Sequence, residues 1–196
     1  MTLSDSTIRT APAERLRVEG VILDLDGTLV DSNEAHARAW VEVLGAEGFR
    51  VRLEDVRPLI GMGGDLLVEK LTRIGREDPR SQRLSDARKR VFQERWLGTV
   101  APQPGARELV AKLHERGFTL VVATSSAEDE ARPLLAVVGV EELIDGYTTA
   151  DDVQVAKPYP DVVHAALAKA GCNADHAVLI GDTPTTWPRR ARPASP

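Results

Sequence analysis

Aspartates and a hydroxyl follow short apolar segments at three places in this 196-residue chain. The motif DLDGTLVDS begins directly after the first apolar run and carries Asp24 and Asp26. Thr124 and Asp182 stand at the ends of two later apolar runs. Ligands bind beyond the carboxyl ends of strands in open α/β sheets, so we expect these four side chains to converge at one edge of a sheet.

These residue types can perform phosphoryl-transfer chemistry together. Three carboxylates close to one another repel unless a cation is present, and oxygen ligands without His or Cys favour Mg²⁺. A carboxylate can also be a nucleophile, as in the formation of an aspartyl-phosphate. Lys157, in the segment between Thr124 and Asp182, suits a phosphoryl group, because a lysine supplies a point charge and a nearby hydroxyl supplies a donor.

Strands and helices must alternate to position these residues. Buried strands are predicted at residues 18–24, 118–124, 146–149 and 177–181, and helices at residues 105–116, 128–138 and 158–170. This alternation predicts an α/β fold, with a mostly parallel sheet covered by helices on both faces.

A stretch with only helical spacing interrupts the alternation after the first strand. Its predicted helices are residues 34–47, 53–60, 65–74 and 81–97. We therefore predict an inserted helical unit at residues 33–98, a core made of residues 18–32 and 99–184, and a flexible polar tail at residues 1–17. The loop Gly61-Met62-Gly63-Gly64 either brings backbone close to a ligand or forms a plain turn, and the sequence leaves both readings open.

The chemical segments resemble, in order and spacing, the four motifs of the haloacid dehalogenase-like hydrolase superfamily. DLDGTLVDS is the specific motif, and Thr124, Lys157 and Asp182 match the other three. The resemblance spans residues 18–184. Within the superfamily, the chain most resembles the subgroup that contains phosphoglycolate phosphatases and β-phosphoglucomutases. It implies a Rossmann-like core, with the inserted helices as a cap.

The resemblance also implies a role for each matched residue. Asp24 would be the nucleophile that becomes aspartyl-phosphate, and Asp26 the general acid and base. Thr124, Ser125 and Lys157 would bind the phosphoryl oxygens. The implied Mg²⁺ ligands are the Asp24 side chain, the Asp26 backbone carbonyl and Asp182.

The cap residues bear on the choice between phosphatase and mutase. In mutases of this subgroup the cap carries an arginine that binds a second phosphate, and the best-matching position here is Gly64. That glycine argues against a mutase, although Arg57 could substitute. Arg57, Gly61 and Gly64 are the predicted substrate-facing residues of the cap.

The last residues depart from the family pattern. The family places a second aspartate four residues after the first one of motif four, where this chain has Thr186, and Pro188, Pro193 and Pro196 are incompatible with the helix that should follow. If residues 184–195 are encoded by GC-rich codons, reading those codons one nucleotide back gives the residues that the family pattern predicts at these positions. We hypothesise that residues 185–196 are a frameshifted tail and that the C-terminal part of the core is missing. Low stability, poor solubility and a weakened Mg²⁺ site would follow.

Composition narrows the class of protein. Hydrophobic residues make up 42% of the chain, the net charge is −5, and Cys172 is the single cysteine. An acidic balance gives no indication of nucleic-acid binding, no apolar run is long enough for a membrane span, and residues 1–17 lack the apolar region of a secretory signal. One cysteine excludes an intramolecular disulfide and fits a reducing compartment, so we expect a cytoplasmic protein. Its oligomeric state is open.

The predicted function is a Mg²⁺-dependent phosphatase of small phosphorylated metabolites. One alternative is a sugar-phosphate mutase, which needs a second phosphate contact in the cap. Another is a phospho-accepting receiver-like module, although its aspartate should follow a later strand. The last is an inactive fragment, which the abnormal tail suggests. The histidines are interpreted as structural: His36, His114, His164 and His176.

Overall fold

The computed structural model describes residues 17–152 and 160–182. Lys157, Thr186 and the predicted tail at residues 185–196 lie outside the described residues. The strands of the described part are β1 (Gly20–Asp24), β2 (Val30–Asp31), β3 (Ala101–Pro102), β4 (Thr119–Ala123), β5 (Gly146–Thr148) and β6 (Ala177–Ile180). Its α-helices are α1 (Asn33–Ala46), α2 (Leu53–Val56), α3 (Gly64–Thr72), α4 (Pro79–Val91), α5 (Ala106–Glu115), α6 (Glu128–Val138) and α7 (Pro160–Ala170).

Four parallel strands form the main sheet, in the order β5-β4-β1-β6. In their register Asp24 pairs with Ala123, and Ala123 pairs with Thr148. The carboxyl ends of these strands therefore meet at one edge of the sheet, and Thr124 and Asp182 follow directly from it. The predicted α/β fold with a parallel sheet is confirmed.

Both faces of the sheet are covered, as its nearly continuous apolar strands require. Val21 and Leu23 of β1 pack into one buried cluster with residues of α5 and α6. Ile22 points to the opposite face and packs against α7 through Val163 and Ala166. Strand β1 is therefore buried on both sides, which holds Asp24 at a rigid position.

The helices α1 to α4 have an apolar cluster of their own. Its buried members are Ala37, Trp40, Val43, Leu44, Val56, Leu67, Val68, Ile74 and Leu84. The chain leaves the sheet through β2 and returns through β3, and these two short strands pair antiparallel. Strands β2 and β3 were not predicted, because two-residue strands are too short to show a periodicity in the sequence.

Helix α4 differs most from its predicted bounds of 81–97. It begins earlier because the Asp78 carboxylate accepts a hydrogen bond from the Arg80 backbone N–H at 2.9 Å, and Pro79 occupies the first helical turn. It ends at Val91, where the backbone continues as a wider π-helical turn over Phe92–Trp96. Within the described ranges, none of the helices has the length and apolarity that a membrane crossing demands.

Candidate active site

The loop after β1 is folded tightly enough that only glycine fits at its centre. The backbone N–H groups of Leu29 and Val30 both donate to the Leu25 carbonyl, at 2.9 and 3.1 Å. Gly27 has φ +80°, and a Cβ atom there would lie 2.2 Å from Asp182 Oδ2. The Gly27 position of the motif is thus explained by the close approach of the segment that follows β6.

Asp24 and Asp182 lie near each other at the sheet edge. Burial, followed by the negative charges of Asp26 and Asp182, raises the pKa of the Asp24 carboxyl from 3.8 to about 8. The Thr28 hydroxyl donates to Asp24 Oδ2 at 3.2 Å, and Asn33 Nδ2 donates to Asp182 Oδ2 at 2.9 Å. A cation beside Asp24 would stabilise its ionised form.

This donor set fits Mg²⁺ in part. Asp24 and Asp182 offer the hard carboxylate oxygens that Mg²⁺ prefers, and their mutual repulsion is what a cation would relieve. Within residues 17–152 and 160–182, no three acidic, histidine or cysteine side chains are grouped closely enough to hold a metal ion by themselves. Backbone carbonyls and water would complete the coordination, which is usual for Mg²⁺.

The Asp26 side chain is held by four neighbouring side chains. Ser32 Oγ donates to Oδ1 at 2.5 Å, and His36 Nε2 lies 3.0 Å from the same oxygen. Thr124 Oγ1 and Ser126 Oγ donate to Oδ2 at 3.2 and 3.0 Å. Burial by itself would raise the pKa of this carboxyl, but the charge of His36 and these hydrogen bonds outweigh it and lower the pKa to about 2.

His36 is the site residue that the sequence reading missed. It was interpreted as structural, yet its ring contacts Asp26 and stacks on Phe92 with 4.0 Å between ring centroids. Its Nδ1 atom lies 3.3 Å from Arg88 Nη1. One signal was available: Ser32 and His36 are four residues apart at the start of a predicted helix and therefore share a face.

Replacing His36 tests whether it positions Asp26. We expect His36→Gln to lower kcat. We also expect the acidic limb of the plot of kcat against pH to shift to higher pH by about one pH unit, because Asp26 loses the positive charge that lowers its pKa. The matched control is His114→Gln, since His114 Nδ1 lies 2.9 Å from the Leu143 carbonyl oxygen in a distant part of the fold. An unchanged pH profile in His36→Gln would argue against the positioning role.

The structure places the predicted phosphate-binding residues as follows. Thr124 is buried, and its hydroxyl donates to Asp26 while accepting from the Ser126 backbone N–H at 3.0 Å. Ser125 Oγ donates to the Gly61 carbonyl of the helical unit at 3.3 Å. Both hydroxyls lie at the sheet edge beside Asp26, and their contact with phosphate stays a prediction.

A cavity of about 260 Å³ lies between the sheet edge and the helices α1, α3 and α4. Asp26, Ser125 and Ser126 line it on the sheet side, and the predicted cap residues Gly61 and Gly64 line it on the other. The role predicted for Arg57 stays a prediction. Arg57 lies outside the lining, with its Nη2 atom 3.4 Å from Glu34 Oε2.

Two ion pairs join the helical unit to the core beside this cavity. Arg88 of α4 forms a bidentate salt bridge with Glu130 of α6, and Lys89 Nζ lies 2.5 Å from Asp129 Oδ1. The Arg88 guanidinium also lies over the Trp40 ring, 5.4 Å from its centroid. The sequence did not reveal these pairs, because their partners are about 40 residues apart.

Residues 18–186 match the model of the haloacid dehalogenase-like hydrolases. This chain belongs to that family. The match includes the DLDGTLVDS motif, with Asp24 and Asp26, as well as Thr124 and Asp182, so it covers all four side chains that were expected to converge.

Relatives of this hydrolase carry phosphatase names. A phosphoglycolate phosphatase of Pectobacterium atrosepticum is 31% identical over 176 residues, which cover 87% of this chain and 75% of that one. A hydrolase from Pseudomonas syringae superposes with a TM-score of 0.76 at 34% identity, covering 84% of this chain and 76% of that one. The protein CbbY from Rhodobacter sphaeroides, solved in complex with phosphate, has a TM-score of 0.71 at 27% identity, with 86% and 79% covered.

Proposed function

We propose that this hydrolase is a Mg²⁺-dependent phosphatase that cleaves small phosphorylated metabolites through an aspartyl-phosphate at Asp24. The observation that carries the proposal is the convergence of Asp24, Asp26, Thr124 and Asp182 at one sheet edge, where the environments of Asp24 and Asp26 shift their pKa values in opposite directions. Divergent environments of this kind are how a site separates the roles of two carboxyl groups. The phosphatase names of the relatives and the phosphate complex of one of them support the proposal.

In the first step the Asp24 carboxylate attacks phosphorus, and the bond from phosphorus to the leaving oxygen breaks. The leaving oxygen needs a proton, which Asp26 supplies once it has taken one up. A substrate anion beside Asp26 favours this uptake, because nearby negative charge raises a carboxyl pKa. Lys157 and the hydroxyls of Thr124 and Ser125 are the proposed ligands of the phosphoryl oxygens.

In the second step water attacks the phosphorus of the aspartyl-phosphate and regenerates Asp24. Asp26 takes the proton of that water, and its lowered pKa favours the ionised form that this step requires. Bound Mg²⁺ would neutralise charge on the phosphoryl oxygens. Asp24, the Asp26 carbonyl and Asp182 would hold it, and Asn33 orients the Asp182 carboxylate through its hydrogen bond.

The placement of the cap residues favours hydrolysis over a mutase reaction. A mutase needs a second cationic contact for phosphate, but Arg57 pairs with Glu34 outside the cavity and Gly64 offers no charge. The proposed substrates are small because the cavity is small. The single cysteine supports the proposed cytoplasmic location.

Removal of the metal tests the cofactor. We expect chelation with EDTA to abolish hydrolysis of p-nitrophenyl phosphate, and added Mg²⁺ to restore it. Asp182→Asn should weaken Mg²⁺ activation by roughly 10–100-fold. The control is Asp175→Asn, since Asp175 is exposed in the turn before β6, at the opposite edge of the sheet. Full activity in EDTA would contradict the proposal.

A further inference from the structure

A second cavity, of about 480 Å³, lies on the face of α4 opposite to the cavity at the sheet edge. The end of α1, Phe49 and Ile74 form its other walls. Asp86 lies at the boundary and lines both cavities, whereas Ser85 and Arg88 line only the one at the sheet edge. Helix α4 therefore separates the second cavity from the aspartates.

The floor of this second cavity is apolar. Ile74 and Leu84 are buried members of the apolar cluster of the helical unit, and Phe49 and Ala87 are half-buried against the same cluster. Small-molecule sites are typically concave and mostly apolar, with a few polar groups that fix the orientation of the ligand. The floor could therefore take up the apolar part of a ligand.

Three arginines of α4 line the cavity above this floor: Arg80, Arg83 and Arg90. Arg80 is bound to Asp78, whose carboxylate accepts hydrogen bonds from its Nε and Nη2 atoms at 3.2 and 2.7 Å. Arg83 acts on Asp78 through its charge without such a hydrogen bond, and no ion pair of Arg90 occurs in the described part of the chain. Two exposed guanidinium groups thus keep donor hydrogens for a ligand.

Two acids, Glu47 and Asp86, also line this cavity. Asp86 accepts a hydrogen bond from the Gln82 amide at 2.9 Å, and Gln82 lines the cavity at the sheet edge but not the second one. Glu47 is exposed at the end of α1. Among the described residues neither acid forms an ion pair with Arg83 or Arg90, so both acids leave these two cations available.

The two available arginines lie on one face of α4. Arg83 and Arg90 are two helical turns apart, and Ala87 stands between them on that face. Because the Ala87 side chain ends at its Cβ atom, both long arginine side chains can reach over it to one anion. A planar guanidinium binds an oxyanion through two parallel N–H bonds.

We propose that the second cavity binds a small molecule that has an anionic head group and an apolar ring. The head group, a sulfonate, phosphate or carboxylate, lies between Arg83 and Arg90, and the ring covers the floor at Phe49 and Leu84. Arginines that merely face solvent would not border a concave apolar floor. Binding at this site does not depend on the proposed phosphatase function.

Three compounds test both features of the ligand. Naphthalene-2-sulfonate is the probe, naphthalene-2-methanol lacks its charge, and methanesulfonate lacks its ring. Isothermal titration calorimetry of the full chain gives the Kd of each. We expect both analogues to bind at least about tenfold more weakly than the probe. Equal affinity for either analogue, or no binding of naphthalene-2-sulfonate, would overturn the proposal.

Variants assign the binding to this cavity. Arg83→Gln/Arg90→Gln should raise the Kd of naphthalene-2-sulfonate at least about tenfold, because two charge-assisted contacts are lost. Ala87→Glu should do the same by placing a carboxylate between the arginines. Arg107→Gln/Arg116→Gln is the matched control, since it removes the same charge from exposed positions outside both cavities. A Kd that is unchanged in the first variant, or raised equally in the control, would contradict the site.

An acidic segment of a second copy of the chain is the competing occupant. Sedimentation velocity distinguishes the two, because a small molecule leaves the sedimentation coefficient unchanged. We expect the wild type and Arg83→Gln/Arg90→Gln to sediment alike, with and without naphthalene-2-sulfonate. A wild-type dimer that the probe or the arginine substitutions dissociate would show that the cavity is a protein interface, and the proposal would be wrong.

Discussion

Asp24→Asn is expected to lower kcat for p-nitrophenyl phosphate by at least about 10³-fold, because an amide oxygen cannot form the covalent phosphoryl intermediate. Asp24 lies at the end of the central strand β1, buried on both faces, so the substitution changes the chemistry with little change in position. The measurement is the rate of Mg²⁺-dependent phosphate release. Asp175→Asn is the control and should retain full activity.

The same variant should be more stable than the wild type in the absence of metal. The Asp24 carboxyl has its pKa raised from 3.8 to about 8 in the folded chain. The folded state is therefore progressively destabilised as pH rises from about 4 to about 8, where the unfolded chain is ionised and the folded one resists ionisation. Asparagine removes this dependence, so thermal melting with EDTA should show the variant gaining stability most clearly near pH 8.

The activity of Asp24→Asn decides the role of Asp24 independently of these melting curves. Activity retained by the variant would contradict the assignment of Asp24 as the nucleophile.

Arg88→Met should have the largest effect on stability. Glu130 is only 2% exposed and Arg88 14% exposed, and the substitution leaves the Glu130 carboxylate buried without its cation. Breaking a buried pair in this way typically costs about 3–5 kcal/mol of unfolding free energy. At this chain length the loss corresponds to a fall in melting temperature of about 10 °C.

A second substitution distinguishes an unpaired charge from lost packing. In the double variant Arg88→Met/Glu130→Gln no charge remains buried, so it should melt higher than Arg88→Met by itself. Arg83→Met is the control on the same helix, because Arg83 is exposed and its removal leaves no buried charge. If the double variant were less stable than the single one, the electrostatic explanation would be wrong.

Helix bounds illustrate what local sequence can and cannot predict. Helix α6 has the predicted bounds of residues 128–138, despite Pro133. Helix α4 was predicted to continue to residue 97 but changes to a π-helical turn at Phe92. Phe92 is fully buried and stacks on His36, so its placement is decided by α1, more than 50 residues away in sequence.

The α/β class and the family can be predicted from the sequence, because buried strands and the DLDGTLVDS loop are local patterns with strong periodicity or fixed spacing. It also determined that Asp24, Asp26, Thr124 and Asp182 belong to one sheet edge, since carboxyl ends of parallel strands coincide. Lys157 keeps its role as a prediction.

The hydrogen bonds and charges around the site depend on the tertiary structure. The network of Ser32, His36, Thr124 and Ser126 around Asp26 joins four positions spread over about 95 residues. The pairing of Arg88 with Glu130 and the exclusion of Arg57 from the cavity depend on how the helical unit sits against the sheet. Hydrogen bonds and charge compensation are set by distances in space, and residues far apart in sequence carry no local signal of the partner they will meet.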